Sequence, residues 1–149
     1  MEVDIETGGV RILRYIAMQD AGRLINPMIV DGQVHGGIAH GIGNAIFEWM
    51  GYDDAGQPVT TTFADYLLPT AVDVPHLETL YKESPSPHNP LGVKGVGEVG
   101  IIPAAAAIIS AVEDALSPFN VRLAQMPITP AKLAELIARA RAQPKGATA

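Results

Sequence analysis

The chain has 149 residues, enough for one ordinary domain with a single sizeable core and too few for a large multidomain enzyme. Ten lysines and arginines against 16 aspartates and glutamates leave a net charge of −6, which repels phosphate backbones and anionic membranes, so no nucleic-acid partner is expected. The absence of cysteine removes disulfides, thiolate metal sites, iron–sulfur ligation and cysteine nucleophiles, and it fits a cytoplasmic location or another reducing compartment.

Apolar residues make up 48% of the chain and charged residues 17%, the latter below the usual ~25%. Such a chain has more apolar surface than one small core hides, which predicts a partner surface and a piece of something larger. The longest apolar stretch, residues 101–112, contains Pro103 and Ser110 and is well short of the ~20 residues of a membrane span. The N-terminal residues Glu2, Asp4 and Glu6 are acidic, where a secretory signal would be basic and then apolar.

In chain order, the turn at Thr7, Gly8 and Gly9 precedes residues 10–18, whose β-branched and aromatic content predicts a strand closed by Asp20, Ala21 and Gly22. Asn26 followed by Pro27 is a strong helix start, an amide cap followed by a residue whose missing N–H costs nothing there. The helix is expected to run to about Met50. Val30, Val34, Ile38, Ile42, Ala45, Ile46 and Trp49 recur at three- and four-residue steps and form its expected buried stripe. The same helix carries Gly32, Gly36, Gly37, Gly41 and Gly43. Each costs ~1 kcal/mol relative to alanine in an exposed helix interior, so another backbone or a ligand is expected to approach closely.

Residues 53–58 read as a turn, residues 59–63 as a short strand and residues 77–82 as another. Three prolines then make residues 84–90 an extended loop. The alanine-rich residues 101–116 predict a buried helix ended by Ser117 and Pro118, residues 121–123 a short edge strand, and Thr129 with Pro130 the start of a last amphipathic helix to about Arg141. Residues 143–149 read as a flexible tail. The expected fold is α+β, with two long helices and a C-terminal helix packed on a small mixed or antiparallel sheet.

The densest chemical signal is residues 91–100, a glycine-rich loop feeding a helix. Gly95, Gly97 and Gly100 match G-x-G-x-x-G in form, but a dinucleotide site wants a strand just before and an acidic residue ~20 positions on, and a carboxylate at Glu98 opposes a pyrophosphate. On local physics Glu98 is either a first-turn acid complementing the helix dipole or a general base whose flanking glycines let backbone approach a cofactor. Lys94 is either its countercharge or a solvated surface lysine. His35 and His40, five apart, are not the i, i+4 pair of a zinc protease helix, and no residue is assigned as a metal ligand.

Three ordered segments carry a resemblance: residues 20–27 (DAGRLINP), residues 32–43 with Gly32-Gln33-Val34 and Gly41-Ile42-Gly43, and residues 85–98 ending in Gly95-Val96-Gly97-Glu98. Together they resemble the C-terminal part of the molybdenum-binding large subunit of the xanthine oxidase, aldehyde oxidase and aerobic carbon monoxide dehydrogenase family, over roughly residues 3–137. The resemblance implies that residues 1–142 are a C-terminal molybdenum-cofactor-binding domain. In that family the glutamate of G-x-G-E lies beside the molybdenum and takes a proton from the metal's hydroxyl or water ligand, a role that falls on Glu98. The glutamine of G-Q-V bonds the pterin, a role that falls on Gln33, and Gly95, Val96 and Gly97 line the site through backbone atoms. Many relatives carry glutamine where this chain has His40.

The resemblance further implies a molybdopterin-type cofactor completed by partner sequence, the remainder of the large subunit as a partner, and iron–sulfur and FAD groups only in partner domains or subunits. The implied reaction puts a water-derived oxygen into a small-molecule substrate, an aldehyde, an N-heteroaromatic or carbon monoxide, and the chain is not expected to be active alone. The alternative is a non-catalytic interaction module or isolated fragment of the same fold without cofactor.

Overall fold

The computed structural model describes residues 1–142, in the order β1 (Glu2–Val3), β2 (Val10–Arg11), β3 (Tyr15–Gln19), α1 (Pro27–Ile42), β4 (Leu77–Tyr81), α2 (Ala104–Ala115) and α3 (Pro130–Ala142). The tail expected at residues 143–149 lies outside the described residues. The fold is α+β. β1 and β2 pair antiparallel, while β3 and β4 pair parallel from Tyr15 beside Leu77 to Gln19 beside Tyr81. The single strand expected over residues 10–18 is thus two, because each half takes a different partner, with residues 12–14 outside either pairing.

Asn26 starts α1 as its side chain predicts, its Oδ1 accepting the Ile29 N–H at 3.2 Å. Val30, Val34, Ile38, Ile42, Ala45 and Ile46 are all buried, but the helix does not continue to Met50. At Gly43 it widens into one π-helical turn, Gly43–Phe47, closed by the Glu48 N–H on the Gly43 carbonyl at 2.8 Å. The chain leaves the helix at Glu48, which is extended, so Trp49 lies beyond the stripe and is 53% exposed rather than buried. The expected strand at residues 59–63 does not form: Thr60 Oγ1 ties this segment back to the Gly51 N–H at 3.0 Å, and from Thr62 the chain turns, the Tyr66 N–H returning to the Thr62 carbonyl at 2.8 Å. Residues 121–123 form no strand either.

α1 and α2 meet through glycine. A Cβ at Gly37 would stand 2.8 Å from the Ile101 nitrogen, a Cβ at Gly100 would strike the Val34 carbonyl oxygen, and one at Gly41 would strike the Ala104 methyl. The close approach predicted for the glycine-rich helix is therefore partly internal. Gly32 and Gly36 differ, since a Cβ on either would meet nothing within 4 Å.

Asp20, just past β3, ties three segments together. Its Oδ1 accepts the Gly22 N–H at 2.9 Å and the Ser84 N–H at 3.1 Å, and its Oδ2 accepts from Lys94 Nζ at 2.6 Å. The Lys94 ammonium first, and the two amides after it, hold the Asp20 carboxyl well below the usual carboxylate range. Asp31 on α1 braces the same sheet, accepting from Thr79 Oγ1 at 3.0 Å and from the Tyr81 hydroxyl, which lowers its pKa.

Two measurements check this packing. Gly100→Ala is expected to lower stability by ~1–3 kcal/mol through overpacking, whereas Gly36→Ala, with open space around it, should raise it by up to about 1 kcal/mol; urea midpoints of the two variants should move in opposite directions. Because the folded Asp20 pKa is depressed, its contribution is present above the unfolded value of about 4 and is lost as pH falls toward the folded one. Asp20→Asn should flatten that acid-side loss in a circular-dichroism titration, and an unchanged acid profile would contradict the assignment.

Candidate functional site

The loop before α2 is built by local clasps. Asn89 Oδ1 accepts the Val93 N–H at 3.1 Å while its Nδ2 donates to the Val93 carbonyl at 3.0 Å, and the Ser86 N–H reaches the Gly92 carbonyl at 3.0 Å. Gly92 sits at φ +71°, where a side chain is strained. The Arg23 N–H donates to the Gly92 carbonyl and the Lys94 N–H to the Ala21 carbonyl, both at 3.0 Å. These bonds, with the Asp20–Lys94 pair, fix the chain as it enters Gly95. Lys94 is thereby the counterion of Asp20 and neither the countercharge of Glu98 nor a free surface lysine.

From there the loop alternates. Val96 and Val99 are partly buried and pack against the core, whereas Gly95, Gly97 and Glu98 are exposed. Glu98 is not in the first turn of α2. Its carbonyl accepts the Ile101 and Ile102 N–H groups at 3.2 Å in a separate turn, and α2 begins only at Ala104, after Pro103. A residue before proline is steered away from the helical region, which explains the later start. No strand precedes Gly95 either; the only pairing there is an isolated bridge between Gly22 and Val93, so the dinucleotide geometry is absent from this loop.

Gly100 brings this loop onto α1 at Val34 and Gly37. Gln33, one turn before Gly37 on the same flank of the helix, is exposed, and so is His40, one turn after it. Gln33 and Glu98 thus belong to the two elements that the Gly37–Gly100 contact joins. Among the described residues neither side chain has a hydrogen-bond or ion-pair partner, and no buried polar side-chain atom is left unsatisfied elsewhere.

A large polar cofactor fits these residues. Gly95 and Gly97, like Gly32 and Gly36, would place a Cβ in open space, so packing within this chain gives no reason for glycine there, and their backbone amides stay open to close approach. An unpartnered carboxamide and an unpartnered carboxylate complete the donor and acceptor set. Among the described residues no three of His, Asp and Glu gather as a metal site. The sequence marked Asp20 as the end of a strand and the head of a motif but not as the tie between three segments. Its partners Ser84 and Lys94 lie far along the chain, and no local pattern signals such a contact.

The large hydrophobic side chains left exposed include Phe63, Val72, Met28 and Ile102, in keeping with the apolar excess of the composition. No helix of the described residues is long and apolar enough to cross a membrane.

Comparison with known proteins gives the family. The chain is 46% identical over 134 residues to the gamma subunit of the 6-hydroxypseudooxynicotine dehydrogenase complex of Paenarthrobacter nicotinovorans, covering 89% of this chain and 17% of that protein. It is 42% identical over 127 residues to the carbon monoxide dehydrogenase large chain of Afipia carboxidovorans, covering 85% of this chain and 16% of the relative. The crystal structure of quinoline 2-oxidoreductase from Pseudomonas putida 86 superposes with a TM-score of 0.89 at 45% identity, over 95% of this chain and 18% of that one. The chain therefore spans about a sixth of the length of these relatives. Residues 1–75 match the model of the molybdopterin cofactor-binding domain, and the chain belongs to that family, as a homologue of the molybdenum-binding subunits of molybdenum-dependent oxidoreductases.

Proposed function

We propose that residues 1–142 act as the C-terminal cofactor-binding domain of a molybdenum hydroxylase large subunit, with Glu98 as general base and Gln33 as an anchor of the pterin. The observation that carries this reading is the loop itself: an exposed, unpartnered carboxylate behind two glycines with open space around them, docked by Gly100 onto the helix that bears Gln33. When bound, the cofactor supplies the redox centre that takes two electrons from a substrate gaining a water-derived oxygen. An aldehyde, an N-heteroaromatic or carbon monoxide is the proposed substrate class, supported by relatives named for quinoline and carbon monoxide.

The chain's own residues divide the work. Glu98 holds, at a carboxylate oxygen, the proton given up by the water-derived oxygen, and its side chain is exposed and without a partner among the described residues. Gln33 offers two N–H donors and one carbonyl acceptor to the edge of the pterin. Gly95, Val96 and Gly97 present main-chain groups at close range, with Val96 fixed by its packing in the core. The remainder of the large subunit completes the cradle, and iron–sulfur and flavin partners carry the electrons away.

Glu98→Gln in the assembled enzyme is expected to lower turnover by at least ~10²–10⁴-fold while molybdenum content is unchanged by elemental analysis; wild-type turnover would remove the base. Gln33→Ala should instead lower molybdenum content without moving the unfolding midpoint. If the chain purifies from its source alone and without molybdenum, the reading as a non-catalytic module of the same fold replaces this one.

A further inference from the structure

β3 has a bare edge. The Gln19 carbonyl accepts the Lys82 N–H at 3.0 Å, so Tyr15, Ala17 and Gln19 aim their backbone groups at β4, and the alternation of a parallel strand aims those of Ile16 and Met18 the other way. Among the described residues no other strand lies beside β3. Along that side runs a groove of about 350 Å³, lined by all five residues of β3 and, across from them, by α2. Ile38 and Ile108, both buried, line it, and α2 borders it with Ala107 and Ala111, small residues one turn apart.

We infer that this groove receives a β-strand from the remainder of the large subunit, hydrogen-bonded to Ile16 and Met18 and lying against Ala107 and Ala111. The inference rests on the proposed function, since it takes the missing partner to be large-subunit sequence. Three observations commit the occupant. Unpaired N–H and C=O groups at alternate residues are the chemistry of a strand rather than of a helix or a small ligand. The groove is walled by Ile38, Ala107, Ile108 and Ala111, so the side of the added strand that faces α2 is apolar. The curated relatives extend far beyond the matched region, which is only 16–17% of their length, and so contain ample chain to supply it.

Amide exchange on the full chain, alone and assembled with the rest of the large subunit, tests this residue by residue. The amides of Ala17 and Gln19, bonded to β4, should exchange slowly in both samples, whereas those of Ile16 and Met18 should slow by about tenfold or more only in the assembly. Ala107→Phe, which fills the groove from an exposed position, should weaken assembly by about tenfold with an unchanged far-ultraviolet spectrum. An assembly in which Ile16 and Met18 exchange as fast as in the free chain would overturn the docked strand and leave the proposed function standing. Failure of the two parts to assemble at all would overturn both.

Discussion

Everything at the candidate site hangs on the contact of two main chains at Gly37 and Gly100. Helices with ordinary side chains pack with their axes 8–10 Å apart; here the loop leading into α2 lies directly on the backbone of α1, and a methyl group on either glycine would collide. The consequence is positional. Glu98 and Gln33 come from segments separated by the whole middle of the chain, and the glycine contact sets their relation without any bond between the two side chains. The valines of the loop hold it from below, and the Asp20–Lys94 pair holds it from behind.

The same residue type serves two purposes along one helix. Gly37 and Gly41 are accounted for inside the chain by Gly100 and Ala104, and Gly43 by the side chain of Glu48, whose carboxylate accepts the Tyr66 hydroxyl at 2.6 Å. Gly32 and Gly36 face outward onto nothing. Absence of a side chain where one would be harmless, in a helix that loses stability by it, is what a surface built for an outside partner looks like.

Much of this was legible in the sequence because it is local chemistry. Asn26 and Pro27 marked the start of α1, the apolar stripe predicted its buried residues from Val30 to Ile46, and Thr129 with Pro130 opened α3. Ordered motifs marked Gln33 and the Gly95–Glu98 loop. What periodicity could not reach was set by contacts distant in sequence or by backbone geometry: the π turn and the extended Glu48 that end the helix before Trp49, the split of residues 10–18 between two partners, and the later start of α2 beyond Pro103. The alliance of Asp20 with Ser84 and Lys94 is of the same kind, invisible until the chain is folded.

The parallel pairing of β3 with β4 has a kinetic consequence. Tyr15 meets Leu77 across about sixty residues of chain, so closing the pair closes a loop that holds α1 and the long irregular segment behind it. Contacts so far apart in sequence form slowly, and until they do, Tyr15, Ala17 and Gln19 also lack partners, so both edges of β3 are open on an apolar strand of the kind that templates aggregation. Production of this chain at low temperature and low concentration therefore favours the soluble form, since only the misassembly route is of higher order in protein.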